Sequence, residues 1–185
     1  MRNILLAFVL FLSACAHQVT PAIIAPPPPD PKTVMPALES RIYELVDAER
    51  RKLDTVKEPL ALDSELTAVA REKSADMAVR NYAAHISPNG ETSATIIMAK
   101  DAGFHGLLGE NIAVQPYLPK YGIDVDVFAR RIVETWLGSS AHRENLADPA
   151  YARTGVGAAV NGNSIYVTEL FSGPPDSANS APPLR

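Results

Sequence analysis

Apolar positions recur most regularly at Val125, Phe128, Ala129, Ile132, Val133 and Trp136, which follow i, i+3, i+4, i+7, i+8, i+11 without a gap. That spacing lays one apolar stripe along an amphipathic α-helix. Ile42, Leu45, Val46 and Leu53 fall near the same period and predict a helix over 39–52. Leu66, Val69, Ala70 and Met77 mark another, opened by Asp63 or Ser64 as N-cap and closed near Asn81. A shorter helix is expected over 95–102, stopped by Gly103. Near the C-terminus the pattern changes to two β-prone runs, 154–160 and 164–171, flanking Asn161-Gly162-Asn163. An Asn-Gly between such runs signals a β-hairpin. Helices first and a hairpin last predict a layered α+β fold, because a doubly wound parallel sheet needs strands and helices to alternate.

The ends of the chain have different compositions. Arg2, the apolar run from Leu5 to Leu12 and the small residues after it have the layout of a secretory signal, too short to span a bilayer. Leu12-Ser13-Ala14-Cys15 resembles the lipobox of bacterial lipoproteins, in which the cysteine is acylated and becomes the mature N-terminus. Cys15 is the single cysteine of the chain, so it forms no disulfide framework and no CxxC site. From Ala16 to Pro36 proline dominates, a composition that favours extended polyproline II and predicts a stiff tether. The stretch from Gly173 to Arg185 reads as a disordered tail. The expected organisation is a signal at 1–14, acylated cysteine and tether at 15–37, one globular domain at 38–172 and a tail at 173–185. Loss of Arg2 with the signal takes the basic count from 17 to 16 against 21 acidic residues, a net charge of −5 that argues against nucleic acid as a partner.

Three histidines fall within the domain. His85 follows the second helix and precedes the turn sequence Ser87-Pro88-Asn89-Gly90; His142 lies just past Trp136, in an expected loop; His105 sits between Phe104 and Gly106 with no motif around it. Gly109-Glu110-Asn111 comes between them. Two imidazoles and a carboxylate from three separate segments are the donor types of a divalent metal site or an acid–base site, but spacing alone leaves open whether they converge or end as surface residues. Trp136 completes an apolar stripe and belongs to the core. Asn111 is expected to bond local backbone. Ser139 and Ser140 lack the glycine pattern of a nucleophile elbow.

A resemblance spans nearly the whole domain. Glu44-Leu45-Val46-Asp47-Ala48-Glu49-Arg50, Leu62-Asp63-Ser64-Glu65-Leu66, Ala84-His85-Ile86-Ser87-Pro88-Asn89-Gly90, Gly109-Glu110-Asn111-Ile112-Ala113, the run from Trp136 to Leu146, and Gly155-Val156-Gly157 with Tyr166 to Phe171 stand in order and at sensible spacing. Together they resemble the bacterial branch of the CAP superfamily (cysteine-rich secretory, antigen 5 and pathogenesis-related proteins). The resemblance implies a three-layer α-β-α sandwich with a small antiparallel sheet and a cleft. It assigns His85, Glu110 and His142 to that cleft, with His85 and His142 as metal ligands if a labile divalent cation such as zinc is held. Two departures matter. Relatives with the fuller pattern carry a glutamate three residues after the helix tryptophan, where this chain has Ser139. The family strand usually shows glutamine where this chain has Glu169, a carboxylate that either borders the cleft and replaces the missing one or faces solvent.

Ser139, Arg143 and Glu169 are therefore secondary candidates for ligand contact, with an ion pair or carbonyl contact as the alternative for Arg143. Three functions follow as expectations. The first is a monomeric cleft protein binding a cell-wall (peptidoglycan), peptide or lipid ligand. The second is a metal-assisted hydrolase of peptidoglycan or peptide bonds. The third is an interaction scaffold with a vestigial cleft. Cys15 implies export and a lipid anchor in the membrane. Ala16 in place of aspartate after the cysteine points to the outer membrane of a two-membrane bacterium, with the domain on its periplasmic face.

Overall fold

The computed structural model describes residues 26–53 and 58–174. Cys15, the signal, most of the tether and residues 175–185 of the tail lie outside them. Five helices, α1 (Met35–Arg50), α2 (Ser64–Arg80), α3 (Ser93–Lys100), α4 (Val125–Gly138) and α5 (Ser140–Ala147), surround strands β1 (Ala61–Leu62), β2 (Leu107–Pro116), β3 (Arg153–Asn161) and β4 (Ser164–Gly173).

Local sequence explains most of the boundaries. The Asp63 carboxylate accepts from the backbone N–H groups of Glu65 and Leu66, two of the donors that a helix start leaves unpaired. Asn81 closes α2 at φ 54°, a left-handed conformation that asparagine tolerates. At α3, Thr92 and Thr95 form a reciprocal capping box, which starts the helix two residues before the expected 95. The domain also begins earlier than 38. Pro31–Val34 is a 3-10 turn and Pro36 lies in the first turn of α1, where its missing N–H costs nothing, so polyproline II does not continue to Pro36 as expected. Leu53, expected in the α1 stripe, lies beyond the helix end and is exposed.

The sheet has the order β1-β3-β4-β2. The expected hairpin is β3–β4, with Asn161 paired to Ser164 across a two-residue loop in which Gly162 takes φ 58°. The sheet is mixed rather than purely antiparallel, because the short β1 runs parallel to β3. Strand β2, antiparallel to β4, is absent from the sequence expectation. Its Glu110, Asn111 and Gln115 interrupt any apolar alternation, since helices cover parts of both its faces.

Alternation along β4 sorts the core into two layers. Tyr166 and Leu170 face α2 and α3, where Leu66, Val69, Ala70 and Ile97 gather around Leu170. Ile165, Val167 and Phe171 face the opposite layer, with Leu38, Ile42 and Val46 of α1, Phe128, Ile132 and Trp136 of α4, and Leu146 of α5. The α-β-α sandwich implied by the resemblance is thus the observed architecture.

Helix α2 lies unusually close to β3. A methyl group on Gly155 would stand 2.2 Å from the Thr67 nitrogen, and one on Gly157 2.1 Å from the Arg71 nitrogen, both backbone atoms of α2. Ser74 fastens the contact by donating to the Gly157 carbonyl and accepting from the Thr168 hydroxyl, each at 2.9 Å. Gly157→Ala is expected to lower the unfolding free energy by about 3 kcal/mol or more, since a backbone cannot yield as a side chain does. Gly138→Ala, with open space around the added carbon, is expected to change it by under about 1 kcal/mol. Urea denaturation of the two variants measures the difference.

Candidate functional site

Strand β2 is an edge strand, and its exposed edge organises the site. The outward carbonyls of Glu110 and Ile112 accept from Asn145 Nδ2 of α5 at 3.1 Å and from the indole N–H of Trp136 of α4 at 3.0 Å. Asn111 faces the α1/α4 side of the sheet, where its Nδ2 donates to the His142 carbonyl at 3.2 Å and its Oδ1 accepts from Asn145 at 2.8 Å. Asn111 therefore bonds backbone as expected, but backbone 31 residues away rather than local. Three of these contacts hold α5 against the strand, and the Trp136 bond holds α4 there.

On the other face Glu110 projects toward α2 and α3. Its Oε1 is 2.6 Å from His85 Nδ1, and its Oε2 accepts from Ser93 Oγ in the first turn of α3. Glu110 is 12% exposed and the His85 side chain 56%, so the carboxylate sits at the floor and the imidazole at the mouth. Under both lies Lys73, which is 1% exposed. Its Nζ donates to the His85 carbonyl at 2.9 Å and to Tyr82 Oη at 3.4 Å. Burial pushes the Lys73 ammonium below the usual lysine range, while the charges of Glu110 and Asp76 pull it back up. The turn after His85 forms as expected: Ser87 accepts from Gly90 N–H and donates to Asn89 Oδ1, which Arg80 at the end of α2 also reaches.

His142 lies in the first turn of α5 rather than in a loop. Its Nδ1 is buried and has no hydrogen-bond partner. Desolvation lowers its pKa, and the neighbouring His85 lowers it further, which favours the neutral imidazole near pH 7. The structure thus joins His85 and Glu110 directly and brings His142 within the field of His85.

The secondary candidates fall elsewhere. Ser139 links α4 to α5 with its hydroxyl engaged in no cap. Arg143 donates to the Leu137 carbonyl at 2.8 Å, the carbonyl contact named above as its alternative, and lines a separate apolar hollow with Leu53, Leu137 and Leu146. His105 is exposed. Glu169 fits neither expectation. It pairs across the sheet with Asn111, so it lies on the face opposite Glu110, and it is wholly buried instead of facing solvent. It cannot replace the missing cleft carboxylate.

The donor set decides how a metal would fit. Both Glu110 oxygens are committed, position 139 offers a hydroxyl, and among the described residues no three His, Cys, Asp or Glu side chains converge to hold an ion. That set does not fit a closed tetrahedral zinc site.

Residues 43–171 match the sequence model of the family described as "CAP: Cysteine-rich secretory protein family". The chain belongs to the CAP family. Over 138 residues this CAP protein is 35% identical to the uncharacterized protein YkwD of Bacillus subtilis strain 168, covering 74% of its own length and 48% of that protein. It resembles the crystal structure of an extracellular protein containing an SCP domain from Bacillus anthracis, at 30% identity and TM-score 0.62, covering 81% of this chain and 45% of the other. It spans about half the length of these two relatives. An outer surface protein of Borrelia burgdorferi shares the fold at TM-score 0.61 and 24% identity, with 75% of this chain and 93% of that one covered.

Lys73, Ser93 and Asn145 escaped the sequence reading. Only Lys73 left a trace there, as a lysine at the i+4 position between Val69 and Met77 on the buried stripe of α2.

Glu169 itself generates a stability prediction. Burial pushes its carboxyl up to about 8, against the pull of the Thr154 hydrogen bond and the Arg50 charge. Its Oε2 has no partner, and the unpaired Arg50 Nε is likewise buried. An acid whose folded pKa exceeds its unfolded value holds its proton longer when folded, so its contribution is complete below about pH 4.5 and is lost as pH rises toward 8. Glu169→Gln is expected to be close to neutral at pH 4.5 and to stabilise by a few kcal/mol at pH 8.5. Thermal melts across that range check it; a constant difference between the two proteins would show that Glu169 does not titrate in this window.

Proposed function

We propose that the chain is an acylated lipoprotein of the bacterial envelope whose CAP domain binds a cell-wall, peptide or lipid ligand at His85, Glu110 and His142. The Ser93–Glu110–His85 chain of hydrogen bonds carries this reading. A carboxylate fixed by α3 fixes the imidazole in turn and gives Nδ1 the proton, so Nε2 is left for a ligand at the mouth. Half-buried His142, beside His85, supplies a second imidazole to the same site. Acylation at Cys15 rests on the lipobox-like sequence, and its placement in the outer membrane on Ala16. The extracellular B. anthracis relative supports export. Among the described residues no helix is long and apolar enough to cross a membrane.

The same carboxylate-oriented imidazole is the pairing that general-base hydrolysis uses, which favours hydrolysis as the second reading. In that reading His85 Nε2 takes the proton of the attacking water while Glu110 stabilises the imidazolium.

Co-sedimentation of the chain from Ala16 with insoluble peptidoglycan separates the readings. His85→Ala and Glu110→Ala are each expected to weaken binding about tenfold, as removal of a charge-assisted contact does. Soluble fragments released by the wild type and by neither variant would establish the hydrolase. Retention equal to wild type in both variants would remove these residues from the binding site and favour the scaffold.

A further inference from the structure

We propose that the end of the domain formed by the 117–122 loop and the β3–β4 turn rests on the bilayer that holds the Cys15 acyl groups; this depends on the lipid anchor proposed above. Leu118 and Tyr121 project from that loop at 60% and 72% exposure, with Lys120 between them and its ammonium 4.6 Å from the Tyr121 ring centre. An aliphatic side chain, an amphipathic aromatic ring and a cation on one short turn match the hydrocarbon boundary, the interface and an anionic headgroup. The loop does not hang free. Tyr117 donates its N–H to the Asn163 carbonyl at 2.8 Å and its hydroxyl to the Gly162 carbonyl at 3.1 Å, which fixes it to the hairpin turn.

The route of the chain points to the same end. Pro28 sits against Gly122, where an added Cβ would meet its ring at 2.7 Å, so the chain arriving from Cys15 meets the domain at this loop. Eleven residue steps separate Cys15 from Pro26 and reach at most about 40 Å. Leu62, another exposed apolar residue, lies at the far end of the sheet, where it pairs with Thr154 at the start of β3. From Thr154 to Asn161 is seven strand steps, about 23 Å. The end where the tether arrives therefore carries an aliphatic side chain, an aromatic ring and a cation on one short turn, and a lipid surface is the partner that this combination fits.

The test uses the full acylated protein in vesicles of phosphatidylethanolamine with phosphatidylglycerol. Because acylation consumes the single native thiol, Leu118→Cys, Tyr121→Cys and Leu62→Cys can each be labelled with an environment-sensitive fluorophore. Labels at 118 and 121 are expected to shift to the blue and to lose roughly threefold or more of their accessibility to an aqueous quencher on reconstitution, and the label at 62 to stay accessible. Equal accessibility at all three positions in protein shown by mass to be acylated overturns the membrane contact and leaves the anchor standing. Shielding that grows with protein concentration without vesicles assigns the patch to a second copy and overturns it as well. An unmodified Cys15 overturns anchor and contact together.

Discussion

An edge strand with unpaired carbonyls is the constraint around which this domain is built. Strand β2 pairs on one side only, and a strand left so would recruit any other extended chain. The indole of Trp136 and the amide of Asn145 occupy the Ile112 and Glu110 carbonyls instead. Two helices thereby turn a liability into a frame. The carbonyl of Glu110 is tied to α5 while its side chain, on the opposite face, is tied to His85 and Ser93. One residue thus fixes both layers of the sandwich to the strand that separates them.

Much of this was legible in the sequence where local rules and tertiary needs agreed. The α4 stripe, the Asp63 cap, the Asn81 stop and the Asn-Gly hairpin all appear where residue pattern placed them. Strand β2 did not, because its residues answer to different neighbours on each face and its polar members serve the site. Helix α5 was hidden for a related reason: its eight residues carry one buried apolar side chain, Leu146, and its attachment comes from Asn111 and Asn145 across long sequence separations. Within the site, the motifs identified His85 and Glu110. Ser93 and Lys73 were invisible as partners, since only the folded chain brings α3 and α2 beneath the same imidazole.

Glu169 shows how a motif position can mislead. Period-two alternation along β4 puts it on the face of Val167 and Phe171, and the layer it enters there is the apolar one formed by α1 and α4. Removing a carboxyl from water raises its pKa, and no full partner compensates. The family's usual glutamine keeps the size and discards the charge. What looked like a candidate ligand is a weak point in the core.

The length of β2 has one more consequence. Seven residue steps separate Glu110 from Tyr117, about 23 Å of rigid strand, which is nearly three Debye lengths at physiological salt. If the Tyr117 end rests on a charged leaflet as proposed, the surface potential of that leaflet decays almost completely before it reaches the imidazoles. Under that contact the counter-ion cloud around His85 and His142 is that of the bulk compartment, so a change in lipid headgroup composition is screened from the site.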